Sequence, residues 1–159
     1  MIATLPLMTR TTLNGAEGVK AAVGTTLGES SWHVITQEAV NLFADATGDH
    51  QWIHVDPERA ASGPFGGPIA HGYLTLSLAP VLISEVVDLE GVKMGVNYGC
   101  NKVRFISPVP VGKAVRMTAV LAGADDVADG VQATIDLTFE IEGVDRPACV
   151  AQVVYRWLF

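Results

Sequence analysis

Hydrophobic and polar residues follow a helical spacing in the first half of the chain. Four apolar residues between 39 and 44 fall on one face of a helix that Thr36 begins and Gly48 ends. Asp56-Pro57 predicts a second, short helix over 57–61, because proline is well tolerated at the first helical position. The first half therefore contains at least two helices, separated by a stretch that begins at Gly48.

A long apolar segment, residues 69–87, follows a loop at 62–68 that is rich in glycine and proline. The segment has no charged side chain before Glu85, so it predicts a helix buried in the centre of the fold. Pro80 lies well inside it and is expected to kink or split the helix. The length approaches the ~20 apolar residues of a membrane span. However, His71 and other polar residues interrupt it and no second span follows, which favours a buried core helix.

After residue 91 the spacing changes from helical to alternating. Residues 131–141 alternate between apolar and polar side chains, which predicts an antiparallel strand with one buried face. Turn-forming residues at 125–130 and 142–147 bound this strand. An antiparallel sheet wrapped around the long central helix would bury both, so the predicted fold class is α+β. The other predicted strands are 92–104, 115–121 and 148–158.

The composition narrows the classes of function. The 159 residues are 49% hydrophobic and 17% charged, which predicts one globular domain. Residues 1–24 show little pattern and are predicted to form a loosely packed lead-in with a short helix near 16–23. A net charge of −7 argues against binding to nucleic acid or to an anionic membrane surface. Cys100 and Cys149 form no C-x-x-C pair and are predicted to be buried thiols of a reducing compartment. Together with the lack of a signal-peptide pattern, this predicts a soluble cytoplasmic protein.

Half of the ten basic residues lie in one stretch, 93–116. This stretch could attract a small anionic ligand, or it could be an ordinary solvated face. The sequence alone leaves both interpretations open. The basic residues are Lys93, Lys102, Arg104, Lys113 and Arg116.

Asp49 and His54 lie five positions apart, just after the first helix. A carboxylate and an imidazole that hold one water can deprotonate it and return a proton to a neighbouring carbon. The structural alternative is that Asp49 caps the next turn and His54 is an ordinary loop histidine. His33 and His50 have no partner recognisable in the sequence. A metal site formed by His50 with Asp49 and His54 matches no strong ligand spacing.

His71-Gly72 begins the long apolar segment. A glycine at the start of a helix lets a backbone N–H approach a ligand closely, and the helix dipole favours developing negative charge there. The structural alternative is simple packing at the start of the helix.

Three separate motifs resemble the MaoC-like (R)-specific enoyl-CoA hydratases. They are ADATGDHQWIHVD at 44–56, PIAHGY at 68–73 and VRFISPV at 103–109. The resemblance covers about residue 35 to the C-terminus and is closest to a branch that includes 3-hydroxyacyl-thioester dehydratases and nodulation-protein-N-like proteins. It implies a hot-dog fold, an antiparallel sheet wrapped around a central helix.

The resemblance also implies roles for individual residues. In the family pattern G-D-x-N-P-x-H the aspartate and histidine are catalytic, which corresponds to Asp49 and His54, and the Gly72 N–H polarises the thioester carbonyl. This chain departs from the pattern at Gln51, in place of asparagine, and at Trp52, in place of proline. The remaining residues expected at the substrate are Gln51, His71, Tyr73, Lys102 and Arg104.

The implied reaction is reversible hydration of a trans-2-enoyl thioester to the (R)-3-hydroxyacyl thioester in fatty acyl metabolism. It needs neither a metal nor a redox cofactor, since coenzyme A or acyl carrier protein travels with the substrate. The family implies a homodimer, or a higher oligomer. Two alternatives stay open, a hot-dog thioesterase and a non-catalytic acyl-thioester-binding or scaffold protein.

Overall fold

The alternating second half of the chain forms long antiparallel strands, as its pattern predicts. A computed structural model describes residues 10–159. The strands are β1 (Thr11–Asn14), β2 (Thr26–Glu29), β3 (His33–Val34), β4 (Val87–Glu90), β5 (Met94–Phe105), β6 (Ala114–Val127), β7 (Gly130–Ile141) and β8 (Val144–Leu158). The helices are α1 (Gly15–Ala21), α2 (Gln37–Thr47), α3 (Trp52–Val55), α4 (Pro57–Ala61), α5 (Gly72–Ser77) and α6 (Ala79–Val86).

Within residues 10–159, six strands form one antiparallel sheet in the order β2-β6-β7-β8-β5, and β3 also pairs with β6. Burial alternates along β7 as the sequence predicts, with Phe139 fully buried and polar neighbours partly exposed. The two turns that flank β7 are shorter than the sequence predicts. Strand pairing continues to Val127↔Gly130 at one end of β7 and to Ile141↔Val144 at the other. The buried face of the sheet and the apolar side of α6 form one hydrophobic core.

The predicted long central helix is two short helices, α5 and α6, with the break at Leu78. Pro80 lies in the first turn of α6, where its missing N–H costs no helical hydrogen bond. The predicted split is therefore confirmed, and the prediction of a single long helix is wrong. Four residues of α6 are buried, but Val81 is half exposed, so the segment is not buried on all sides. In residues 10–159 no helix is long and apolar enough to cross a membrane.

The lead-in is more tightly packed than predicted over the part that the structure describes. Leu13 and Val19 are buried in the core, and β1 pairs in parallel with β4. The short helix expected near 16–23 is present as α1, and residues 1–9 lie outside the described residues. The sequence pattern missed the short strands β1 to β4 because four residues or fewer give no clear alternation.

The two cysteines differ in their environment, which corrects one prediction. Cys149 is buried, and burial raises the pKa of its thiol to about 11. Cys100 is exposed, because it lies on β5 at the edge of the sheet. The expectation that both thiols are buried is therefore wrong for Cys100.

Candidate active site

The turn between α2 and α3 carries Asp49. The Thr36 hydroxyl accepts a hydrogen bond from the Ala39 N–H and begins α2, and Gly48 ends it in the left-handed conformation (φ 82°). Asp49 then follows directly, and its carboxylate accepts a long hydrogen bond of 3.4 Å from the Gln51 N–H. The side chain is exposed. A 3.4 Å contact is a weak cap, so it leaves the carboxylate free for other partners.

His54 lies in α3 with its imidazole buried, at 6% exposure. Its Nδ1 lies 2.7 Å from the Ile69 carbonyl oxygen. A carbonyl can only accept, so Nδ1 carries the proton and the neutral ring presents Nε2 as an acceptor. Two further hydrogen bonds fix this region, from the Gln37 side-chain amide to the His54 carbonyl (2.8 Å) and from the Ile69 N–H to the Ile53 carbonyl (3.0 Å).

The pKa of His54 is lowered from its usual value, mainly because burial penalises the charged imidazolium. The neighbouring His71 lowers it further, whereas the hydrogen bond to Ile69 and the Asp49 carboxylate act in the opposite direction. A lowered pKa keeps the ring neutral near pH 7. His54 is thus prepared to accept a proton through Nε2.

His71 joins the same cluster from the start of α5. Its ring stacks on that of His54, with centroids 3.9 Å apart and planes inclined by 26°. Its Nε2 lies 2.9 Å from the Asp49 carbonyl oxygen. One carboxylate oxygen of Asp49 and one ring nitrogen of each histidine lie within 4.8 Å of one another. An acid and a base at this separation can share one water molecule.

Gly72 lines a cavity of about 270 Å³ that His54 also lines. Its N–H precedes the first hydrogen bond within α5, which runs from Thr75 N–H to the His71 carbonyl, so it has no helical acceptor. A Cβ at this position would lie 2.8 Å from the Phe105 ring, so the close contact with Phe105 requires glycine. The cavity is also lined by His54, Phe65, Ile69, Thr75, Phe105 and Val109.

The structure brings some of the predicted substrate residues to this cluster and leaves others apart. Gln51 is exposed at the start of α3, and Tyr73 is 68% exposed with its ring against Phe105 at 5.3 Å. Lys102 and Arg104 are exposed on β5, where alternation places them on the opposite face from Phe105. They do not contact the cavity, and their role at the substrate stays a prediction.

His50 is exposed and hydrogen-bonds Asp45 at 2.9 Å, which raises its pKa. The donor set Asp49, His50 and His54, which has no strong ligand spacing in the sequence, is not the set that clusters in the structure. The donor atoms that do cluster belong to Asp49, His54 and His71. One nitrogen of each buried histidine is hydrogen-bonded to a carbonyl, which fixes the tautomer of each ring.

Sequence reasoning missed three residues of the site. Gln37 anchors the backbone of His54, Thr75 lines the cavity, and Phe105 covers Gly72. A hydroxyl one helical turn after His71 in an apolar helix was the available signal for Thr75. Gln37 gave no signal, because its contact spans 17 residues and depends on the turn between α2 and α3.

The geometry agrees with the comparisons to known proteins. The profile of the family described as "MaoC like domain" matches residues 19–140. The chain therefore belongs to the MaoC-like dehydratases, a family of hydratases and dehydratases, and its α+β architecture is their hot-dog fold. The resemblance inferred from the three motifs is confirmed.

Among individual relatives, 3-hydroxyacyl-thioester dehydratase Z of Mycobacterium tuberculosis is 56% identical over 148 residues, which cover 92% of this chain and 98% of the relative. Nodulation protein N of Rhizobium meliloti is 48% identical and covers 84% of both chains. Two solved structures agree with the fold. The monoamine oxidase regulatory protein of Archaeoglobus superposes with a TM-score of 0.75 at 23% identity (96% of this chain, 99% of the other). The (R)-hydratase of A. caviae superposes with 0.69 at 24% identity (84% and 95%).

Proposed function

We propose that this chain catalyses the reversible addition of water to a trans-2-enoyl thioester, which gives the (R)-3-hydroxyacyl thioester. The observation that carries the proposal is the cluster of the Asp49 carboxylate and the neutral His54 ring, within 4.8 Å, beside a cavity lined by Gly72. Support also comes from the 56% identical relative, which is named as a 3-hydroxyacyl-thioester dehydratase.

The proposed mechanism uses these groups in sequence. His54 Nε2 and the Asp49 carboxylate hold a water molecule and take its proton as the hydroxyl adds to the β-carbon. The α-carbon then receives a proton from the same dyad, so one water is added in total. The Gly72 N–H stabilises the enolate-like oxygen, a contribution of about 3 kcal/mol in comparable oxyanion holes. Gln51, next to Asp49, helps to orient the water or the ligand.

The reaction involves no change of redox state, and the base and the oxyanion donor come from the protein. We therefore expect no dissociable cofactor, with coenzyme A or acyl carrier protein entering as part of the substrate. A second cavity of about 320 Å³ lies between the segment around Pro80 and β5. We assign the acyl chain to this side of α5, where Leu76 supplies an apolar wall.

We further propose a homodimer formed through β5. This strand is 12 residues long, ends the sheet, and is exposed along its length except at Val103. A long exposed edge strand is a template for pairing with another chain.

In sedimentation experiments we expect the wild-type protein at twice the chain mass. The Val96→Asp variant on β5 should dissociate, whereas Val144→Asp, similarly exposed at the start of β8 (43% against 39%), should not. A single-chain mass at every concentration would contradict the dimer.

The activity is tested with crotonyl-CoA and a longer trans-2-enoyl-CoA. Loss of the conjugated-enoyl absorbance without release of free thiol is the expected result. Thiol release would support the thioesterase alternative instead. Saturable binding without turnover of either substrate would support a non-catalytic acyl-thioester-binding protein. We expect the activity in the cytoplasm, where the acyl carriers are found.

A further inference from the structure

We infer that His71 is a positioning residue that fixes Asp49 and His54 relative to one another. It is 2% exposed, and its imidazole contacts both members of the dyad. Asp49 lies in the turn before α3 and His54 lies within α3, so the helix alone does not set the separation of their side chains. This inference rests on the proposed hydration and assigns to His71 a role different from direct contact with the substrate.

The first contact holds the main chain of Asp49. The His71 Nε2–H donates to the Asp49 carbonyl oxygen at 2.9 Å, across 22 residues of sequence. Because a carbonyl has no proton to give, this bond fixes the Nε2–H tautomer of His71. The turn that presents the Asp49 carboxylate is thereby tied to the start of α5, the same helix that presents the Gly72 N–H.

The second contact orients the ring of His54. The two imidazoles stack at 3.9 Å, and the Phe43 ring packs on His71 at 4.9 Å from α2. His54 is held at its edge by the Ile69 carbonyl and on its face by His71. These two restraints fix the orientation of the His54 ring, and the Asp49 carboxylate lies within 4.8 Å of one of its nitrogens.

The remaining nitrogen of His71 gives independent support. Its Nδ1 is one of three buried side-chain atoms without a hydrogen-bond partner in residues 10–159, the others being Gln37 Oε1 and Thr75 Oγ1. All three belong to residues at or next to the dyad. Buried polar atoms are normally paired, and exceptions concentrate where function constrains the arrangement. We infer that His71 is buried here because of its hydrogen bond to the Asp49 carbonyl and its stacking on His54, and not because of its Nδ1.

Two substitutions separate the two contacts. His71→Phe keeps a flat ring against His54 and removes the donor to Asp49. His71→Gln keeps an N–H donor at about the reach of Nε2 and removes the ring. We expect His71→Phe to lower kcat for crotonyl-CoA hydration by about 10- to 100-fold with KM changed less than about threefold, since small displacements of reacting groups cost rates of this order. His71→Gln should recover most of the lost kcat.

Three outcomes would overturn the inference. Wild-type kcat in His71→Phe would show that the contact is dispensable. Equal losses in both variants would show that the donor to Asp49 is not what matters. A rise in KM at unchanged kcat would assign His71 to substrate binding instead.

A measurement on the unmodified protein keeps the inference testable if a variant fails to fold. The ¹⁵N chemical shifts of the imidazole nitrogens report which nitrogen is protonated. We expect the Nε2–H tautomer for His71 and the Nδ1–H tautomer for His54. The opposite tautomer at His71 would contradict the inference. If wild-type protein hydrates no enoyl thioester but the tautomers are as expected, the proposed function fails while the positioning geometry stands.

Discussion

Substitution of Gly72 by alanine tests whether the contact with Phe105 controls the position of α5. The new Cβ would lie 2.8 Å from two atoms of the Phe105 ring, whereas carbon atoms normally pack at about 3.5–4.0 Å. Those atoms are near the root of the ring, so the contact cannot be relieved without a new side-chain rotamer or a helix shift of about 0.7 Å.

The expected cost follows from two opposing effects. Overpacking costs typically about 1–3 kcal/mol. Replacing a helical glycine by alanine recovers about 0.5–1 kcal/mol, because the unfolded chain loses conformational freedom. The balance is a loss of about 0–2.5 kcal/mol in the free energy of unfolding, centred on about 1 kcal/mol. A displaced Gly72 N–H should also reduce kcat by up to ~10²-fold, the effect of a displacement of about 1 Å.

Urea unfolding measures the first effect, as a lower midpoint at an unchanged m-value. Gly67→Ala is the matched control, because its Cβ would meet nothing within 4 Å. In a Phe105→Ala background the cost of Gly72→Ala should shrink, since the clashing ring is gone. Equal stability and turnover in Gly72→Ala and Gly67→Ala would refute the steric argument.

Three further predictions concern pH, a buried hydroxyl and the helix that carries His54. Because the pKa of His54 is lowered in the folded protein, His54 is protonated at a higher pH in the unfolded chain than in the folded one. The contribution of His54 to the free energy of unfolding therefore falls as the pH drops below about 6.5. Urea unfolding at pH 5 and 7 should show a smaller pH effect in His54→Gln, and an unchanged pH effect would contradict this. Thr75→Val removes a buried hydroxyl that has no hydrogen-bond partner within residues 10–159 and should leave stability equal or raise it by up to about 1 kcal/mol. A lower thermal midpoint would mean that the hydroxyl has a partner. Trp52→Pro introduces the residue of the family pattern, but it should cost about 1–2 kcal/mol in urea unfolding because the half-buried Trp52 ring stacks on Arg59 at 4.4 Å and packs at Gly63. Unchanged stability would show that the ring contributes nothing.

The sequence predicted the elements whose pattern is local. The cap at Thr36, the stop at Gly48 and the proline start at Asp56-Pro57 are all present, because each depends on a few adjacent residues. The alternation of β7 was equally clear. Short strands such as β1 were missed, since their existence depends on a partner strand more than 70 residues away.

The sequence predicted several residues of the candidate site but not how they are arranged. Asp49, His54 and Gly72 follow from motif spacing and from the family resemblance. The stacking of His71 on His54, and its bond to the Asp49 carbonyl, join segments 17 and 22 residues apart, and no periodicity encodes them. The exposure of Cys100 escaped prediction for a similar reason, since strand order decides which strand lies at the edge.

The dyad itself is the central claim, and its two variants test it most directly. Turnover of crotonyl-CoA should be measured for Asp49→Asn and His54→Gln, with His50→Gln as the matched control, because His50 is exposed and pairs with Asp45 instead. We predict that both dyad variants remain folded and lose ~10²-fold or more in kcat, while the control keeps wild-type activity. Wild-type turnover in either dyad variant would contradict the account.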